Sequence, residues 1–212
     1  MLVLETGDSA LARLQAALAA GDIASVVLRA PTGQGLDAAA VLPLIKAAQA
    51  KGVAALIEAD AQLARTVKAD GVHVPVSDDG AAAYADARET VGSGAIVGLD
   101  AGRSRHDAMA AGEGGADFVG FGIPTFVKDR DVAIEYQLDL VAWWAEIFEM
   151  PCVAFDVENA EAAADLAATG ADFVALTLPG GVSPALVAEF VRAVSHAIRE
   201  AAGPVAIGRS RA

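Results

Sequence analysis

Carboxylates stand at the ends of several short apolar runs in this chain. Glu5 follows Leu2–Leu4, Glu58 and Asp60 follow Val53–Ile57, Asp78 and Asp79 follow Gly71–Val74, Asp100 follows Ala95–Leu99, and Asp156 follows Cys152–Phe155. The cations in corresponding places are few: Arg29, Arg103 and Lys128. Carboxylates gathered in one site repel one another, so they bind a cation, bind a positively charged ligand or hold raised pKa values. Oxygen ligands of this kind suit Mg²⁺. Gly180-Gly181, after Phe173–Leu178, offers the opposite chemistry, because residues without side chains let backbone N–H groups face an anion. His73 lies inside an apolar run and reads as an interior polar residue, whereas His106 and His196 fall on helix surfaces.

These groups share a site only if the runs that carry them lie side by side. Eight short apolar runs alternate with eight alanine-rich helical stretches. Ser25–Arg29 is apolar at consecutive positions, as expected of a strand buried on both faces of a parallel sheet. Asp8 or Ser9 is expected to cap a first helix that Gly21 ends, a helix is expected over Tyr136–Phe148, and the last helix over Pro184–Ala202. Ala69-Asp70-Gly71-Val72, Ala116-Asp117-Phe118-Val119 and Ala171-Asp172-Phe173-Val174 recur before strands, their starts 47 and 55 residues apart, which spans one or two βα units. The pattern predicts an α/β fold, a single (β/α)₈ TIM barrel over residues 1–212. An open doubly wound sheet is the alternative, but no glycine-rich fingerprint follows the first strand. In a barrel, residues after strand C-termini form the active-site mouth, which gathers the carboxylates above, with Thr125 and Lys128 after strand six.

Composition excludes several classes. With 28 acidic and 15 basic residues the net charge is −13, which opposes nucleic acid as a partner. The single cysteine, Cys152, excludes an internal disulfide framework. No apolar run approaches the roughly 20 residues of a membrane span, and Met1–Glu5 does not begin a secretory signal, so a cytoplasmic protein is expected. The chain has 51 alanines, which fits close packing of helices around a small barrel. Trp143-Trp144 with Phe148 reads either as an exposed patch for a homodimer or as core.

Four segments resemble the thiamine phosphate synthase family with its TenI-type relatives: Ala69-Asp70-Gly71-Val72-His73-Val74, Ile96-Val97-Gly98, Gly114 to Gly122, and Asn159–Val174. The family's A-D-G-V-H-L, I-I-G-V-S and G-A-D-Y-V-G-x-G stretches occur in this order at similar spacing. The resemblance implies a barrel, often a dimer, that joins a hydroxymethylpyrimidine diphosphate to a thiazole phosphate with Mg²⁺ and releases diphosphate. It assigns Arg29 and Lys128 to the grip on diphosphate, and Asp78 with Glu58 or Asp60 to Mg²⁺. It places the family's serine after strand five near Asp100 or Ala101. The family's Gly-Gly-Ile phosphate turn reads Phe155-Asp156-Val157 here, which leaves Gly180-Gly181 as the substitute cradle.

Two readings follow. The first is an enzyme of that family acting on small phosphorylated substrates. The second is a catalytically inactive or repurposed barrel that binds a different ligand, non-phosphorylated or cationic. Val27, Pro31, Ala59 and Asp156 at neutral or basic family positions motivate the second. At ~4 Å and an effective dielectric of about 20, a repulsion between unit charges costs on the order of 4 kcal/mol, so Asp156 opposes a phosphate beside it.

Overall fold

Eight parallel strands close into a barrel in sequence order, β1 pairing with both β2 and β8. The computed structural model describes residues 1–123 and 127–201. The strands are β1 (Leu2–Glu5), β2 (Ser25–Arg29), β3 (Ala54–Glu58), β4 (Gly71–Val74), β5 (Ile96–Asp100), β6 (Phe118–Phe121), β7 (Cys152–Val157) and β8 (Phe173–Leu178). The helices are α1 (Ala10–Ala20), α2 (Ala38–Gln49), α3 (Ala61–Val67), α4 (Gly80–Val91), α5 (Arg105–Glu113), α6 (Arg130–Ile147), α7 (Ala160–Ala168) and α8 (Pro184–Ala201). The α/β barrel expected from the alternation is the fold observed. Ala202 and Thr125 lie outside the described residues.

Strand alternation divides the core in two. Val3, Val27, Leu56, Phe118, Val153, Phe155 and Ala175 fill the barrel interior. The residues between them, such as Leu2, Leu4, Val26, Leu28 and Ile57, pack outward against the helices. The interior is narrow enough that glycine is needed beside the larger rings. A Cβ on Gly98 would lie 2.1 Å from the Phe118 ring.

The three Ala-Asp repeats have one structural role at the bottom of the barrel. Asp70, Asp117 and Asp172 each accept a backbone N–H from the first turn of the preceding strand: Ala55 at 2.7 Å, Val97 at 2.7 Å and Cys152 at 2.9 Å. Each carboxylate thus pairs an amide at the N-terminal rim of the barrel and fixes the chain's entry into the next strand.

Three local expectations change. Ser9 precedes α1 with φ 57 and makes no side-chain cap, so neither Asp8 nor Ser9 caps that helix by a side-chain bond. Helix α6 starts at Arg130 rather than near Tyr136, because the Asp129 carboxylate accepts from the Val132 N–H and starts the helix six residues earlier. Strand β7 runs on to Val157 through a register shift between Ala154 and Val157. Trp144 is core: it is fully buried, and its indole N–H donates to the Met150 carbonyl at 2.9 Å. Among the described residues no helix is long and apolar enough to cross a membrane.

Candidate active site

Residues two positions beyond the interior-facing Val3, Val27, Leu56, Gly98 and Ala175 point to the same side of their strands. These are Glu5, Arg29, Glu58, Asp100 and Thr177, so alternation alone delivers them to the C-terminal mouth.

The β2–β3 register pairs Val27 with Leu56 and Leu28 with Ile57, which brings Arg29 beside Glu58. Arg29 Nε donates to Glu58 Oε1 at 2.8 Å and Oε2 at 2.9 Å, and Nη2 lies 2.8 Å from Oε1. The pairing uses one side of the guanidinium and leaves Nη1 for a ligand. An open cleft of about 340 Å³ adjoins this pair, with Thr32, Gly33, Gln34, Ala59 and Asp60 on its walls.

On the opposite side, Asp100 and Asp156 face one place. A Cβ on Gly122 would lie 2.9 Å from an Oδ2 of each, so only glycine allows both carboxyl groups there. Asp156 sits at the β7 irregularity with φ 59, and its Oδ2 accepts from the Ile123 N–H at 2.8 Å. A bulge re-aims a side chain, and here it turns Asp156 toward the β6 end. Asp100 Oδ1 accepts from the Gly102 N–H at 2.8 Å. Burial pushes the Asp100 carboxyl up to about 6, and repulsion from Asp156 adds to it; N–H donors at Gly102 and Gly122 and the charge of Arg29 oppose the shift.

His73 forms the floor. It is 1% exposed and stacks on Phe155 at 4.9 Å and Phe118 at 6.0 Å between ring centroids. Burial, with the positive charge of Arg29, pulls its pKa down to about 3, so the ring is neutral near pH 7. Its place inside the barrel matches the sequence expectation.

The other expected site residues are dispersed. Asp60 accepts from the Leu63 N–H at 2.8 Å and caps α3, and Glu58 is committed to Arg29. Asp78 is exposed beyond β4. Among the described residues no group of three or more His, Cys, Asp or Glu side chains converges to hold a metal. These residues therefore form no ready-made Mg²⁺ cage. Asp78 alone suits the looser mode in which one or two carboxylates and substrate phosphates share the ion. Lys128 is exposed on the β6–α6 connection, without an ion pair among the described residues. Gly180 and Gly181 are exposed at the β8–α8 turn, and the Gly180 N–H donates to Glu5 Oε1 at 3.1 Å.

Two buried side chains that brace the mouth are new relative to the sequence expectations. Gln137, 3% exposed on α6, donates through Nε2 to the carbonyls of Phe121 at 2.7 Å and Phe155 at 2.8 Å, just before Gly122 and Asp156. Arg13, fully buried on α1, donates to the carbonyls of Leu178, Pro179 and Glu5.

The Asp100 shift gives a pH prediction. The folded state binds a proton that the unfolded chain has released between the ordinary carboxylate pKa and about 6. That contribution to stability is therefore complete below pH 4 and lost as pH rises through 6. Asp100→Asn keeps the shape and carries no charge. It is expected to exceed the wild type in stability at pH 8 by about 3 kcal/mol, with the difference shrinking towards pH 4. Urea midpoints at pH 4, 6 and 8 measure this; a constant offset between the two proteins would contradict it.

A profile of the family described as thiamine monophosphate synthase matches residues 1–178. The thiamine-phosphate synthase of Rhodospirillum centenum is 43% identical over 175 residues, covering 80% of each chain. That of Hyphomonas neptunium is 40% identical over 171 residues, 77% of this chain and 75% of its own. A thiamine phosphate pyrophosphorylase from Pyrococcus furiosus superposes with a TM-score of 0.73 at 20% identity, covering 95% of this chain and 96% of that one, a likeness of fold. These relatives do not favour the repurposed-barrel reading.

Proposed function

The chain belongs to the thiamine monophosphate synthase family, and from that premise we propose that it joins a hydroxymethylpyrimidine diphosphate to a thiazole phosphate at the barrel mouth. The observation that carries this reading is the family match through all eight strands, with relatives of that name at 40% identity and above. In the reaction the thiazole nitrogen attacks the pyrimidine methylene carbon, the carbon–oxygen bond to diphosphate breaks, and diphosphate departs with the electron pair.

Several mouth residues have a place in that step. Arg29, anchored by Glu58 through Nε and Nη2, presents Nη1 to the diphosphate, a charge-assisted contact that strengthens as the leaving group gains charge. Lys128 supplies a second cation from the β6–α6 connection. The neutral His73, between Phe118 and Phe155, gives a flat floor that excludes water without adding charge. Asp100 carries a proton in part of the population near pH 6 and can donate to a ring nitrogen or a phosphoryl oxygen. The Gly180-Gly181 turn takes the thiazole phosphate. Mg²⁺ would be held by Asp78 together with the diphosphate, and when bound would neutralise the leaving group. Glu58 and Asp60 serve as an arginine anchor and a helix cap. Action in the cytoplasm and a homodimer are part of the same proposal.

The test is direct. Purified protein with both substrates and Mg²⁺ is expected to form thiamine phosphate and release an equal amount of diphosphate. No product above a protein-free control would end this reading.

A further inference from the structure

Glu5 has no role in the proposed reaction, yet its carboxylate sits on the turn that takes the thiazole phosphate. We propose that the Glu5 carboxylate is a built-in occupant of the β8–α8 turn, standing where a substrate phosphoryl group binds and giving way to it. This rests on the reading that the mouth takes phosphorylated substrates.

Glu5 Oε1 accepts from the Gly180 N–H at 3.1 Å, and a Cβ on Gly180 would lie 2.5 Å from that oxygen. The carboxylate thus fills the space that the missing side chain leaves open. The Gly180 N–H belongs to the same peptide unit as the Pro179 carbonyl, which accepts from Arg13 Nη1 at 2.7 Å. A cation on the carbonyl end of a peptide polarises it and makes its N–H a stronger donor to an anion.

Arg13 itself is fully buried. It contacts three backbone carbonyls and no carboxylate, and its Nε has no partner. Its charge acts on Glu5, the acidic group that holds its pKa up against the lowering effect of burial. The corner therefore has a buried positive charge beneath a polarised, exposed N–H, and the anion on it belongs to a flexible side chain. Asp100 and Asp156 also cover loop amides, at Gly102 and Ile123, but they hang on short stems. Glu5 has one more methylene and touches the turn through a single bond, so it is the carboxylate able to swing away.

Inorganic phosphate is the probe, titrated in thermal-melt experiments at constant ionic strength and pH 7.5. Glu5→Gln keeps the shape and removes the charge. It is expected to bind phosphate about five- to tenfold more tightly than the wild type, the loss of one charged competitor for an N–H donor. Asp8→Asn removes the same charge from an exposed position and is expected to stay near the wild type. Adding Gly180→Ala to Glu5→Gln is expected to abolish the gain, because the methyl group occupies the anion's place. If Glu5→Gln destabilises the fold, Glu5→Asp keeps the charge but withdraws it from Gly180, and a smaller gain in the same direction is expected. Equal phosphate affinity in the wild type and Glu5→Gln, or an equal gain in Asp8→Asn, would overturn the proposal. A wild type that makes thiamine phosphate while Glu5→Gln shows no gain fails the gate alone. A Glu5→Gln gain in a protein that makes no product fails the reaction alone.

Discussion

Replacing Arg29 with alanine is expected to lower kcat/KM for thiamine phosphate formation by roughly 10²–10³-fold, the usual effect of removing a donor aimed at developing negative charge. Arg29 is singled out because Glu58 fixes the orientation of its guanidinium, with Nε and Nη2 2.8–2.9 Å from the carboxylate oxygens. A preset donor needs no reorganisation when the diphosphate departs. Arg29→Lys keeps a charge but cannot pair with Glu58 and a phosphate together in one plane, so it is expected to recover only a small part of the loss. Glu58→Gln leaves the cation and loosens its anchor, and a loss of about tenfold is expected, mostly in kcat. The Glu58 side chain is 14% exposed, so Arg29→Ala also strands a partly buried carboxylate. Melting curves on the same samples separate this structural cost from the catalytic one. A folded Arg29→Ala protein with near-wild-type kcat/KM would show that the diphosphate is gripped elsewhere.

The Arg29–Glu58 pair also shows where sequence reasoning stopped. Strand positions were legible because parallel barrel strands are buried on both faces and appear as unbroken apolar runs between helices. The same property makes Glu5, Arg29, Glu58, Asp100 and Asp156 easy to place, since each is the first polar group after such a run. Their pairing was hidden. Considered one strand at a time, Glu58 suits a metal and Arg29 a phosphate; only the register that sets Leu28 beside Ile57 shows that they satisfy each other. Asp156 is a similar case. The sequence places it after an apolar run, but the irregularity within β7 that turns it towards Ile123 and Gly122 leaves no periodic trace in Phe155-Asp156-Val157. The start of α6 carries no apolar periodicity, because Arg130 and Asp131 are charged and Val132 is exposed.

Replacing Arg13 with methionine is expected to cost about 3 kcal/mol of stability, the net of losing three carbonyl partners and relieving the desolvation of a buried cation. For a domain of this size that lowers Tm by roughly 6–12 °C. The expectation follows from where the three carbonyls lie. Leu178 and Pro179 end β8 and Glu5 ends β1, so one side chain closes the barrel seam where the first and last strands meet. Arg13→Lys keeps the charge but lacks the fork that reaches both strands, so an intermediate Tm is expected. The signal for this residue was present in α1. Ala10, Arg13, Leu14 and Ala17 form its buried stripe, and an arginine on such a stripe needs partners beneath it. That signal is weak, because a lone basic residue in an alanine-rich helix usually extends to solvent. Unchanged melting of Arg13→Met would show that the seam is held by strand pairing alone. The expected loss would instead tie the stability of the barrel to the corner where Glu5 covers the anion turn.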